Sequence, residues 1–324
     1  MTTYPTLPLP ERTATPALPV GQVRNGAIPP EWLGLIRVEG PDAAVFLQSQ
    51  FTSDVAALAT DRWQWTGYCS PKGRLLAVAR LMRDAPGFHI ELPLELRDDL
   101  VARLRRFVMR LKATLAPVEG WRTVNLDGDH AVTAATQALD ATAPGDRMVL
   151  SRQGLVMIGG DGATARVHFD PAAQPRLAAI LAAVPADAVA SEWRSADLRA
   201  GIPWIVAATQ DAFVPQMVDL DAIGGVSFAK GCYPGQEIVA RSRYLGEVKR
   251  RLHLGRSTAA PAPGDSIQSA GQAVGKVLAS ARSDTGGFDV LAVIDTEAAK
   301  GNALDVAGAR LVDVRRVRSP EEQP

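Results

Sequence analysis

The chain has 324 residues, 47% hydrophobic and 22% charged, and its 35 Lys and Arg balance 35 Asp and Glu to a formal net charge of zero. That length is expected to divide into two or three domains, and the charge balance excludes wholesale attraction to nucleic acid, leaving anionic ligands to local patches. Two cysteines, Cys69 and Cys232, are too few for a disulfide framework and fit a reducing compartment.

The N-terminal segment has no cationic start followed by an apolar run, and no stretch approaches the ~20 apolar residues that span a bilayer. A cytoplasmic location with no membrane partner is therefore expected. Residues 1 to about 28 are rich in proline and threonine, without periodicity, and read as an extended arm.

A first block runs from 31 to 119. Leu33–Val38 reads as a strand and Pro41–Gln48 as a helix, with proline and an acid in its first turn. Strands follow at Trp63–Tyr68, Arg74–Met82 and Phe88–Leu92. Leu96, Leu100 and Leu104 stand at helical spacing within Leu94–Arg106, before a strand at Lys112–Pro117. The order β-α-β-β-β-α-β approaches a ferredoxin-like unit.

A second block, 120 to 245, repeats the style. It has strands at Trp121–Leu126, Met148–Leu150, Leu155–Gly159 and Thr164–Phe169, and helices at Ala131–Leu139, Ala172–Ala183 and Ala190–Ala200. Gly159-Gly160-Asp161-Gly162 carries no nucleotide-loop pattern and reads as a hairpin turn. The third block, 246 to 318, loses its helix signals. Short apolar runs at Val274–Leu278, Phe288–Ile294 and Arg310–Val317, punctuated by glycine and proline, read as a small antiparallel barrel, followed by a tail at 319–324. The expected fold class is thus α+β: two ferredoxin-like domains and a C-terminal β-barrel.

The richest segment is Lys230-Gly231-Cys232-Tyr233-Pro234-Gly235-Gln236-Glu237. Glycines and a proline frame the cysteine in a turn, which presents the thiol. Lys230 before it and Arg241 and Arg243 after it would favour the thiolate. A small buried filler is the alternative role for a free cysteine, and the glycine frame argues against it. No histidine lies near it in sequence, and the four histidines, His89, His130, His168 and His253, lack metal-ligand spacing. Two basic clusters stand out. Arg103, Arg105, Arg106, Arg110 and Lys112 read as a solvated helix face. Lys249-Arg250-Arg251 reads equally as an edge-strand guard or an anion contact.

The run Phe213-Val214-Pro215-Gln216, then Gly224 through Arg241 with its KGCYPGQE core, closely resembles the YgfZ family of folate-binding proteins. The resemblance extends to Phe46-Leu47-Gln48, Pro71-Lys72-Gly73-Arg74 and Ala200-Gly201-Ile202-Pro203, and so covers most of 31 to 318. That family resembles in turn the T-protein of the glycine cleavage system, a tetrahydrofolate-dependent aminomethyltransferase. The resemblance implies three domains around a central folate opening. A folate-binding domain would combine 1–30 with 120–245, domain 31–119 would be inserted into it, and a barrel would span 246–318.

It further implies tetrahydrofolate or a derivative as cofactor and a role in iron–sulfur cluster assembly or repair. Fe–S client or assembly proteins would be the partners, and tRNA would be reached only indirectly. By the same resemblance Cys232 is the functional thiol, a transient cluster ligand or redox nucleophile, and Lys230 assists it. Gly231, Tyr233, Gly235, Gln236, Glu237 and Arg241 would shape the folate-type site. Two departures stand out. Where the T-protein carries an acidic pair, this chain has Leu75-Leu76-Ala77-Val78, and Asp219 stands where many relatives have asparagine. Aminomethyl transfer needs a positioned acid or base, so classical turnover is not expected. A one-carbon transferase and a direct tRNA-binding factor stay open as alternative readings.

Overall fold

A computed structural model describes residues 24–27, 32–127, 129–160, 164–182, 197–244, 248–283, 285–301 and 303–318. Strand β1 (Arg24–Ala27) lies inside the segment expected to be an extended arm. The first block contains β2 (Leu33–Glu39), α1 (Ala43–Gln48), β3 (Arg62–Cys69), β4 (Leu75–Asp84), β5 (Gly87–Pro93), α2 (Leu94–Val108) and β6 (Thr114–Val118). These strands form one antiparallel sheet in the order β3-β4-β5-β2-β6. That is the ferredoxin-like order with β3 added at one edge. Leu96, Leu100 and Leu104 of α2 are buried, as their spacing requires.

The second block contains β7 (Arg122–Asp127), α3 (Asp129–Ala138), β8 (Val149–Arg152), β9 (Leu155–Gly159), β10 (Thr164–Phe169) and α4 (Pro175–Ala182). Its sheet runs β1-β7-β10-β9-β8. This repeats the first sheet position for position, with β1 standing where β6 stands, so an early strand completes a later sheet. Gly160 N donates to Thr164 O at 3.0 Å, between the paired strands β9 and β10, as a hairpin requires. The expected helix at 190–200 lies largely outside the described residues, as does the turn at 161–163.

Strand alternation gives each sheet two faces. The outer face of the second sheet buries Val124, Leu126, Leu155, Met157, Val167 and Phe169 with Ala135 and Leu139, and with Leu177 of α4. The inner faces of the two sheets pack on each other, so Val149, Val156 and Ile158 share a core with Trp63, Trp65 and Met82. Trp63 Nε1 donates across this junction to Gly159 O at 3.1 Å.

The chain continues through α5 (Gln236–Tyr244) into β11 (Arg250–Ser257), β12 (Ser266–Ser269), β13 (Gln272–Arg282), β14 (Phe288–Asp295), α6 (Thr296–Ala299), β15 (Leu304–Val306) and β16 (Ala309–Arg316). These strands close into a barrel, β11-β14-β13-β12-β15-β16. Strands β11, β12 and β15 and helix α6 carry no clear signal in the sequence. Among the described residues no helix is long and apolar enough to cross a membrane.

Candidate functional site

Cys232 is exposed and unpaired, whereas Cys69 is buried and unpaired, so no disulfide joins them. Burial pushes the Cys69 thiol up to about 12, which leaves it inert. A Cβ on Gly231 would meet nothing within 4 Å, so the backbone beside Cys232 borders open space. Gly235 is the opposite case. It holds φ +77°, and a Cβ there would lie 2.5 Å from Ser70 O and 2.6 Å from the Cα of Gly73. Gly73, at φ +69°, would in turn drive a Cβ to 2.7 Å from the Cβ of Ile238. The two turns singled out in the sequence therefore pack backbone against backbone, a contact that only glycine permits. Arg74 Nη1 donates to Ala212 O at 2.8 Å, and Leu75 N donates to Phe213 O at 2.8 Å, which fixes the 211–213 segment beside them.

Lys230 does not offer its charge outward. Its buried Nζ donates to Gln48 O, to Phe51 O at 2.6 Å and to Ser53 O at 3.0 Å. Gln48 ends α1, so its carbonyl has no partner within the helix. Burial pulls the Lys230 amine down to about 8, against the pull of Asp54. Three carbonyl acceptors take all three ammonium hydrogens, so the charged form makes this clamp. This differs from the expected role of lending charge to the thiolate or a ligand.

The other expected residues divide by burial. Tyr233 is buried, its ring 5.2 Å from Lys230 Nζ, and its hydroxyl pKa is raised by burial. Gln236 is half-buried and donates its backbone N–H to Tyr233 O, opening α5. Glu237 and Arg241 are exposed. Among the described residues no group of three His, Cys, Asp or Glu side chains gathers as a metal site.

A second polar centre was not singled out in the sequence. Arg80 faces Trp65 across β3–β4 and Glu91 across β4–β5. The fully buried Glu91 accepts from Arg80 Nη1 at 2.6 Å, from Arg166 Nη1 at 3.2 Å and from His168 Nε2 at 2.8 Å. Burial alone would raise its pKa, but Arg166, Arg80 and His168 outweigh it and hold the carboxylate well below the usual range. Burial keeps His168 neutral, so its Nε2–H goes to Glu91 and its Nδ1 accepts from Thr123 Oγ1 at 2.9 Å. The Arg80 guanidinium lies 4.6 Å from both the Trp63 and Trp65 rings, and Trp65 meets Trp204 edge to face. Two buried donors here, Arg80 Nε and Asn125 Nδ2, have no hydrogen-bond partner among the described residues. The available signal was an arginine and a glutamate inside otherwise apolar strands.

The loop before the thiol turn holds Asp219, fully buried at φ +53°. Burial pushes its carboxyl up to about 6, against Arg316, Arg251 and Arg318. Arg251 Nη1 donates to Gln216 O at 2.8 Å and reaches Asp219 Oδ1 at 3.4 Å. One arginine of the 249–251 cluster thus ties the barrel to the loop, which neither reading of that cluster anticipated.

Two ferredoxin-like sheets, a closed barrel and a glycine-framed thiol turn define an aminomethyltransferase-like fold. The solved glycine cleavage system aminomethyltransferase T from Bartonella henselae superposes with a TM-score of 0.72 at 16% identity, covering 94% of this chain and 87% of that one. No model of a known protein family matches the chain. Curated relatives do match. The tRNA-modifying protein YgfZ of Edwardsiella ictaluri is 32% identical, with 85% of this chain and 86% of that protein covered. That of Pectobacterium carotovorum is 30% identical, with 85% of each covered. The chain belongs to the YgfZ family.

Proposed function

We propose that the protein is a folate-binding accessory factor in iron–sulfur cluster assembly or repair, supporting Fe–S enzymes that include tRNA-modifying ones. The observation that carries this reading is the Cys232 thiol, exposed on a turn whose remaining parts are locked by Lys230, Gly235 and Gly73. A thiol so held suits transient ligation or redox exchange with a second protein. The names of the relatives supply the link to tRNA modification.

The folate part of the reading is supported by the layer between the sheets. A pterin offers flat faces and ring acceptors, and this layer offers two unpartnered buried donors beside three tryptophans. Arg80 and Asn125 would hold the ring, and Trp204 would pack beside it. A bound reduced folate supplies a one-carbon or electron-carrying centre. The turn residues Gly231, Tyr233, Gly235, Gln236, Glu237 and Arg241 then belong to the thiol rather than to the ring.

A transferase is the weaker reading. Leu75, Ala77 and Val78 are buried and carry no carboxylate. Glu91, on the same sheet, is committed to two arginines and a histidine and held ionised, so it is no proton donor. Titrating wild type and Cys232→Ala with tetrahydrofolate, alongside a methylene-transfer assay, tests this. Equal binding by both proteins without turnover is expected. Absence of binding would remove folate from the account, and robust turnover would favour the transferase.

A further inference from the structure

We propose that the exposed surface formed by the C-terminal end of α2 and the residues just after it is a contact surface for single-stranded RNA. Arg103, Arg106 and Phe107 of α2 and Arg110 just beyond its end follow one another at spacings of three, one and three residues, all exposed, on the flank of the helix beside the stripe of buried Leu96, Leu100 and Leu104. Phe107 is 50% exposed, Met109 is 85% exposed, and Val45 of α1 is 64% exposed. These side chains belong to neighbouring segments, because Lys112 N donates to Asp42 Oδ2 at 2.7 Å and Asp42 N donates to Lys112 O. Large apolar groups exposed together on a soluble protein mark a contact surface.

Part of the charge around them is uncommitted. Arg103 pairs with Asp99 at 2.8 Å, and Arg105 is committed to Leu115 O. Arg106, Arg110 and Lys112 make no side-chain ion pair among the described residues. A cationic helix end is ordinary, since it answers the helix dipole, but an unshielded phenylalanine between arginines is not.

An acidic protein segment would use the charges alone. Guanidinium groups interleaved with an aromatic ring match alternating phosphates and bases, which bind through charge and through stacking respectively. Relatives named as tRNA-modifying proteins make RNA the fitting polyanion. This surface goes beyond the expectation that tRNA is reached only through client enzymes, and it requires neither folate nor a cluster.

The test is fluorescence anisotropy of the full chain with labelled bulk tRNA and with a short oligouridine, across a salt series. Binding that weakens with salt is expected. Arg106→Ala/Arg110→Ala should reduce affinity at low salt and lower the salt slope by about one unit or more. Phe107→Leu, which keeps apolar bulk but loses the ring, should weaken binding about tenfold with the slope unchanged. All the substituted side chains are exposed, so melting temperatures should stay at the wild-type value. Absence of salt-dependent binding would overturn the proposal, as would binding indifferent to both variants. Displacement of the RNA by an equimolar polyglutamate peptide would overturn it in favour of an acidic protein partner.

Discussion

Lys230 and Cys232 stand two residues apart and do opposite things: the amine is spent inside the protein and the thiol is left outside it. The thiol was legible, because a rare cysteine between glycines marks itself locally. The amine's role was not, because its acceptors lie between 177 and 182 residues away in the chain. Asp219 shows how burial carries a consequence for pH. Its folded pKa is about 6, above the ordinary 3.8. Its contribution to stability is therefore present below the ordinary value and is lost as pH rises through about 6. Asp219→Asn removes that loss and leaves Arg251 its bond to Gln216 O. The variant should match wild type near pH 4 and exceed it at pH 8 by on the order of 2 kcal/mol in urea unfolding. A difference independent of pH would contradict this assignment.

Among the elements, those with strong local pattern were readable and those completed from afar were not. Helix α2 announced itself through three leucines at helical spacing. Strand β1 did not, because its pairing with β7 joins residues about a hundred positions apart. Strands β12 and β15 span four and three residues, too short for alternation to register. Both turns, 71–74 and 230–237, were visible as separate motifs, while their contact was not. That contact makes Gly235→Ala a sharp probe. It combines an unfavourable φ with a clash against Ser70 O, and should cost more than about 1 kcal/mol. Gly73→Ala disrupts the same contact, so the two losses measured by urea midpoint should sum to more than the double variant loses. Strict additivity would mean that the turns do not depend on each other.

At the scale of the molecule, the α+β class and the closing barrel followed from the order of patterned segments. The layer that joins the two sheets did not, since Glu91 and Arg166 meet across 75 residues of sequence. That layer explains how two sheets with helices on their outer faces can share a polar interior: its charges are paired, and breaking one pair would strand the others in a buried setting. The most direct measurement is the activity of an iron–sulfur tRNA-modifying enzyme in cells lacking this protein and carrying either wild type or Cys232→Ala. With both proteins at equal level and equal melting temperature, wild type should restore the activity and Cys232→Ala should not. Full restoration by Cys232→Ala would contradict the account.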